Sequence, residues 1–135
     1  MSLLKLADLI GIPFVEGGRN PKTGLDCLGL AREVFKRLTD APVPDTYVDR
    51  EDRDEVKNFV SRSLQEWEVI EKPEVGCAVA MRLDSDRPDL VQHLGVYIGD
   101  GYIIQTIKGR GVHRIRIDDP LFRKKIAGYY RYVGN

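Results

Sequence analysis

The sequence predicts an α+β domain, with helices in the first half packed on an antiparallel sheet of about five to six strands in the second. Three observations predict it. Up to Leu64, apolar residues recur at helical spacing. From Trp67 onward, short runs of β-branched and aromatic residues follow one another, separated by glycine, proline and aspartate turns. The two kinds of segment are segregated along the chain rather than alternating, which argues against βαβ units and a parallel sheet. A chain of 135 residues is enough for one core, so residues 1–135 are expected to form one domain.

Taken in order, Leu3, Leu4, Leu6, Leu9 and Ile10 predict a short first helix with Ser2 as its N-cap. "GIPFVEGGRNPKTG", residues 11–24, reads as a loop from its glycines and prolines. The next helix ends at Leu38 and carries Cys27, Leu30, Ala31, Val34, Phe35 and Leu38 on one stripe, with Arg32, Glu33, Lys36 and Arg37 on the wet face. Two prolines in "TDAPVPDTYVD" break it. A third helix is expected from Arg50 to Leu64, with Val56, Phe59, Val60 and Leu64 inward. The strand segments are "WEVIEK", "CAVAMRL", "VQHLGVYIG", "GYIIQTI", "VHRIRI" and "IAGYYRYV".

Composition narrows the function. Basic and acidic residues number 21 each, so no net field exists to hold nucleic acid or a charged membrane surface, and neither is expected as a partner. No apolar run approaches transmembrane length. "MSLLKLADLIGIPF" lacks a basic leader and a small-residue cleavage site, so it does not read as a signal peptide, and a protein cytoplasmic when made is expected. Two cysteines cannot build a disulfide framework, and no Cys or His pair has zinc-ligand spacing. Neither metal nor cofactor is expected.

Cys27 stands in the first turn of its helix, where unpaired backbone N–H groups and the positive end of the dipole favour a thiolate. The same N–H groups can hold an oxyanion formed when sulfur attacks a carbonyl. A lone cysteine on an apolar stripe is more often a packing residue, and Asp26 and Gly29 have ordinary readings as an N-cap and a close-packing glycine. Cys77, after Gly76, has no helix-end setting and reads as a strand thiol.

Of the two histidines, His113 shares a strand face with Ile115 and Ile117 and reads as half-buried packing. His93 lies instead on the face of its strand with Gly95 and Tyr97, ahead of the turn "GDG" at 99–101. Loop length decides its neighbours. A two-residue loop, Asp100-Gly101, pairs Val96 with Gln105 and sends Gln105 to the opposite face. A three-residue loop pairs Gly95 with Gln105, leaving His93 and Gln105 as diagonal neighbours about 7–8 Å apart at the backbone, with Gly95 an empty space between them. Cysteine, histidine and a polar group that orients the imidazole together make the generalised thiol triad.

These residues resemble a known family. "GIPFVEGGRNPKTGLDCLGL" is similar to the leading loop and helix of the NlpC-type cysteine peptidases, whose usual form is a GG loop followed by Asp-Cys-Ser-Gly. "HLGVYIGDGYIIQT" resembles their histidine hairpin, in which a third polar residue follows twelve positions after the histidine, as Gln105 follows His93. "EVGCAVAMRL" sits where the family has a strand led by Gly-Asp. The resemblance spans nearly the whole chain. It implies a papain-like fold that cuts bacterial peptidoglycan stem peptides, typically beside a γ-linked D-glutamate. It further implies Cys27 as nucleophile, His93 as base then acid, Gln105 as orienter, the Cys27 N–H as oxyanion donor and Asp26 as holder of the substrate's free amine.

Three positions depart from the family form. Leu28 replaces the serine after the cysteine, and Phe14 stands where many members have tyrosine, so two substrate-side polar groups become apolar. Cys77 replaces the common aspartate. The leading loop and the closing "LFRKKIAGYYRY" look more like the phage-tail and prophage members than the secreted bacterial ones, which implies tail proteins as partners and delivery to the cell wall by a tail. Two other readings use the same residues. One is a catalytically silent tail-assembly or wall-binding module, and the other a thiol amidase or acyltransferase with a different substrate.

Overall fold

The computed structural model describes residues 6–38, 67–82 and 93–132. Among these residues one α-helix, α1 (Cys27–Leu38), lies against a six-stranded sheet. Two short strands, β1 (Arg19–Asn20) and β2 (Gly24–Leu25), precede the helix. The sheet is built from β3 (Trp67–Ile70), β4 (Ala78–Met81), β5 (His93–Gly99), β6 (Tyr102–Ile107), β7 (Gly111–Arg116) and β8 (Ile126–Tyr132). Its spatial order is β3-β8-β4-β5-β6-β7, and every pairing is antiparallel. The last strand therefore enters the middle of the sheet, between β3 and β4.

All six expected strand segments are present, and the α+β class holds. Two local expectations change. Residues 1–5 of the expected first helix lie outside the described residues; Leu6 is helical, and a 3-10 turn at Ala7–Leu9 follows it rather than a further α-helical turn, ahead of Gly11 at φ 92°, a backbone conformation that breaks a helix. Leu6 and Leu9 are buried, as their apolar spacing implies. The stretch 11–24, read as a loop, contains β1 and the start of β2, paired Arg19 to Leu25 and Asn20 to Gly24. Asn20 closes the turn between them by accepting the Lys22 N–H on Oδ1 at 2.9 Å. The expected helix at 50–64 lies outside the described residues.

The sheet has apolar layers on both faces. Leu30, Ala31, Val34 and Phe35 of α1 meet Ala78, Val96, Ile98, Ile104 and Val112, joined by Leu6, Leu9 and Leu25. Phe35 and Trp67 stack at a tilt, 5.3 Å between centroids. On the other face Val79, Met81, Ile103 and Ile115 pack with Cys77 and Phe122. This explains "CAVAM", an unbroken apolar run: β4 is buried along both faces. Each such Leu, Ile or Val contributes about 1.5–3 kcal/mol on leaving water. Among the described residues no helix is long and apolar enough to cross a membrane.

Candidate active site

The helix tip is assembled around a buried carboxylate. Asp26 is fully buried and caps α1, with Oδ1 accepting the Gly29 N–H at 2.8 Å. Its Oδ2 accepts the Gly17 N–H at 3.0 Å, and the Arg19 guanidinium donates to Oδ1 at 2.6 Å. One side chain thus ties the glycine loop to the first turn of the helix. The fit depends on missing side chains: a Cβ on Gly29 would come within 2.1 Å of the Gly18 carbonyl oxygen. The close-packing reading of Gly29 holds.

Cys27 is the first residue of α1 and only 3% exposed. Among the described residues it belongs to neither apolar cluster, unlike Cys77, which is part of the second. Leu28, next in the chain, and Phe14 are both half-buried, and Phe14 makes a parallel bridge to Leu25, two residues before the cysteine. Cys77 is the strand-side thiol the sequence suggested; burial pushes it above the ordinary thiol range.

The histidine hairpin combines features of both expected loops. Gly99 pairs with Tyr102, so the turn is the two-residue Asp100-Gly101, with both central residues at positive φ (55° and 83°). A bulge at Ile98 then shifts the register, and Tyr97 pairs with Ile103 and Val96 with Ile104. Continued, that register sets Gly95 opposite Gln105, as the three-residue loop would have done. The space over Gly95 is not empty. A Cβ there would meet the Ile103 Cγ2 at 2.7 Å and the Met81 Cε at 3.2 Å, so close packing requires the glycine.

The side chains of His93 and Gln105 meet: His93 Nε2 lies 3.0 Å from Gln105 Oε1, with both residues buried. The contact continues beyond the expected pair. β6 and β7 pair Gln105 with His113, whose Nε2 is 3.0 Å from Gln105 Nε2. The other ring nitrogen of His113, Nδ1, donates to the Gly111 carbonyl at 2.8 Å. His113 is half-buried, as its sequence suggested, but it is also a polar partner of the site, which the sequence reading missed. Counting back across the Lys108–Arg110 turn would have placed it opposite Gln105. Arg19 gave no comparable signal. Desolvation lowers the His113 pKa below the ordinary range; the Gly111 bond opposes this and the nearby Arg110 charge adds to it.

This arrangement can hold one imidazole in a fixed orientation, its Nε2 committed to an amide oxygen. α1 packs on the face of β5 and β6 that carries Val96, Ile98 and Ile104, whereas Gln105 and His113 alternate with that set and lie on the face of Ile103 and Ile115.

Comparison with known proteins agrees with the fold. The chain is 26% identical over 134 residues to the murein DD-endopeptidase MepH of Escherichia coli, covering 98% of this chain and 45% of that protein. It is 23% identical to the probable endopeptidase YafL of the same organism, covering 98% and 49%. It is 25% identical over 126 residues to the gamma-DL-glutamyl hydrolase of Bacillus subtilis, covering 91% and 27%. The chain thus spans about half or less of the length of these relatives. Among solved structures, an NlpC/P60 protein of Bacillus cereus superposes with a TM-score of 0.66 at 23% identity, over 93% of this chain and 37% of that one. The NlpC/p60 domain of the peptidoglycan hydrolase SagA superposes at 0.61 with 18% identity, over 96% and 93%. The NlpC/P60 family pattern matches residues 11–131, and with the papain-like α+β fold around the helix tip and the histidine hairpin, this chain belongs to the NlpC/P60 family.

Proposed function

We propose that the chain is a thiol hydrolase that cuts peptidoglycan stem peptides beside a γ-linked D-glutamyl residue, with Cys27, His93 and Gln105 as its triad. The observation that carries this reading is the His93–Gln105 bond, which gives the imidazole one committed and one reactive nitrogen. The position of Cys27 at a helix N-terminus and the names of the relatives, a murein endopeptidase and a gamma-DL-glutamyl hydrolase, support it.

Gln105 Oε1 can only accept, so Nε2 of neutral His93 carries the proton and Nδ1 is the base. Nδ1 takes the proton of Cys27 as Sγ bonds to the scissile carbonyl carbon, and the carbonyl oxygen becomes an oxyanion held by the Cys27 N–H at the helix tip. Collapse expels the amine, which leaves with the proton from Nδ1, and a thioester remains. Water, deprotonated by Nδ1, cleaves the thioester and restores the thiol.

Phe14 and Leu28 offer an apolar wall to the substrate, and Asp26 attracts its free amine. That amine competes with Arg19, which already occupies the carboxylate. This pairing favours a second reading, in which the same thioester chemistry serves an amidase or acyltransferase with another acyl donor. The whole protein acts at the cell wall and is delivered by a phage tail; the support is the likeness of "LFRKKIAGYYRY" to tail members.

The test is digestion of muropeptides under reducing conditions, read by mass spectrometry. Wild type should yield fragments split beside the γ-D-glutamyl residue, and Cys27→Ala should yield none while unfolding at the same temperature. Intact muropeptides after treatment with folded wild-type protein would contradict the wall-peptide reading.

A further inference from the structure

A glutamine amide can present either its oxygen or its nitrogen to a neighbour, and the choice at position 105 decides which nitrogen of His93 is basic. If Oε1 faces the ring, Nε2 of His93 must carry the proton and Nδ1 is bare. If the NH2 group faces the ring, Nε2 must accept, the proton moves to Nδ1, and the base is lost from the side left for sulfur. The His93–Gln105 contact alone is compatible with either polarity. Something else must set it.

The carbonyl oxygen of Gly111 does. It can only accept, and it lies 2.8 Å from His113 Nδ1, so that nitrogen carries a proton. A neutral imidazole has one proton, so His113 Nε2 is then an acceptor. Its partner at 3.0 Å must donate, and the only donor on Gln105 is its NH2 group. The amide oxygen is thereby turned to His93 Nε2 at 3.0 Å. The reversed amide would set Oε1 against the lone pair of His113 Nε2, two acceptors facing each other beside a buried side chain. The polarity runs in one direction, from a β7 carbonyl through His113 and Gln105 to the reactive ring.

We propose that His113 is a positioning residue of the site: bonded to the Gly111 carbonyl, its neutral ring fixes the amide of Gln105 and, through it, the tautomer of His93. Burial lowers the pKa of His113, which keeps the ring neutral at pH 7 and so keeps the chain in its productive polarity. This rests on the reading of His93 as the base for Cys27, but it makes a claim about protons that needs no substrate to check.

The chain has only two histidines, so their imidazole nitrogens can be assigned in a 15N-labelled protein by long-range 15N–1H correlation. Above the pKa of both rings, His93 should appear as the Nε2–H tautomer and His113 as the Nδ1–H tautomer. His113→Phe keeps a ring at the position but removes the acceptor. In it, the Nδ1–H form of His93 should rise from undetectable to a measurable fraction, with kcat falling in proportion and KM unchanged. Wild-type His93 in the Nδ1–H form would overturn the proposal, as would an unaltered His93 tautomer in the variant. The wild-type spectrum decides even if the variant does not fold. The expected tautomers with no muropeptide cleavage would remove the hydrolase reading and leave the proton chain standing; the reverse result would do the opposite.

Discussion

A neutral imidazole has two nitrogens and one proton, and much of this site's chemistry follows from where that proton is held. The proposed role of His93 as base predicts that His93→Ala lowers kcat by about 10²- to 10⁴-fold, measured as steady-state muropeptide turnover. Gln105→Ala leaves the ring in place but unoriented, and should cost less than His93→Ala in the same assay. His113 also makes a stability prediction. Its native pKa lies below the ordinary histidine value of about 6.5, so between the two the unfolded chain binds more protons than the native one. Its contribution is therefore lost as pH falls from about 6.5 toward the native value, and is constant above that range. Urea unfolding at pH 8 and pH 5 should show a larger loss for wild type than for His113→Phe; equal losses would mean that His113 is not desolvated. The His93–Gln105 contact was legible because the twelve-residue spacing matched both a hairpin register and a family form. His113 was not, because its role depends on a second register, between β6 and β7, and its own strand shows only apolar alternation.

At the scale of elements, the site depends on how two short pieces of backbone are fixed. The glycine loop seats on α1 because Gly29 has no side chain and Asp26 accepts from Gly29, Gly17 and Arg19 together. Alanine at 29 gains helix propensity of about 1 kcal/mol but drives a methyl into the Gly18 carbonyl. The contact should win, and Gly29→Ala should lose about 1–3 kcal/mol net in thermal unfolding. A neutral or raised melting temperature would show that the loop does not dock as described. The hairpin shows where sequence reading stops. Asp-Gly correctly signalled a tight turn, but a tight turn alone would have put Gln105 on the wrong face. The bulge at Ile98 restores the register next to Gly99, whose φ of 95° favours glycine, but a glycine at the edge of a turn does not by itself reveal a bulge. At the first helix only the end is described, where a 3-10 turn at Ala7–Leu9 buries Leu9 against the core.

Across the whole molecule, the sheet separates two tasks. One face seats α1 and the other holds the second apolar layer, with Gln105 and His113 paired across β6 and β7. The segregated order of helices and strands made the fold class legible. The entry of β8 between β3 and β4 was not, because antiparallel strands of similar composition do not reveal their neighbours. The two thiols reflect the same separation: Cys77 is enclosed in an apolar layer, and Cys27 stands at the helix tip. The central claim, that His93 activates Cys27, is tested most directly by iodoacetamide labelling of the native protein at pH 7, with the rate at each cysteine read by peptide mass spectrometry. Cys27 should be alkylated faster than free cysteine and Cys77 hardly at all, with the Cys27 rate falling sharply in His93→Ala. A Cys27 rate no greater than that of free cysteine, and unchanged by the loss of His93, would contradict the account.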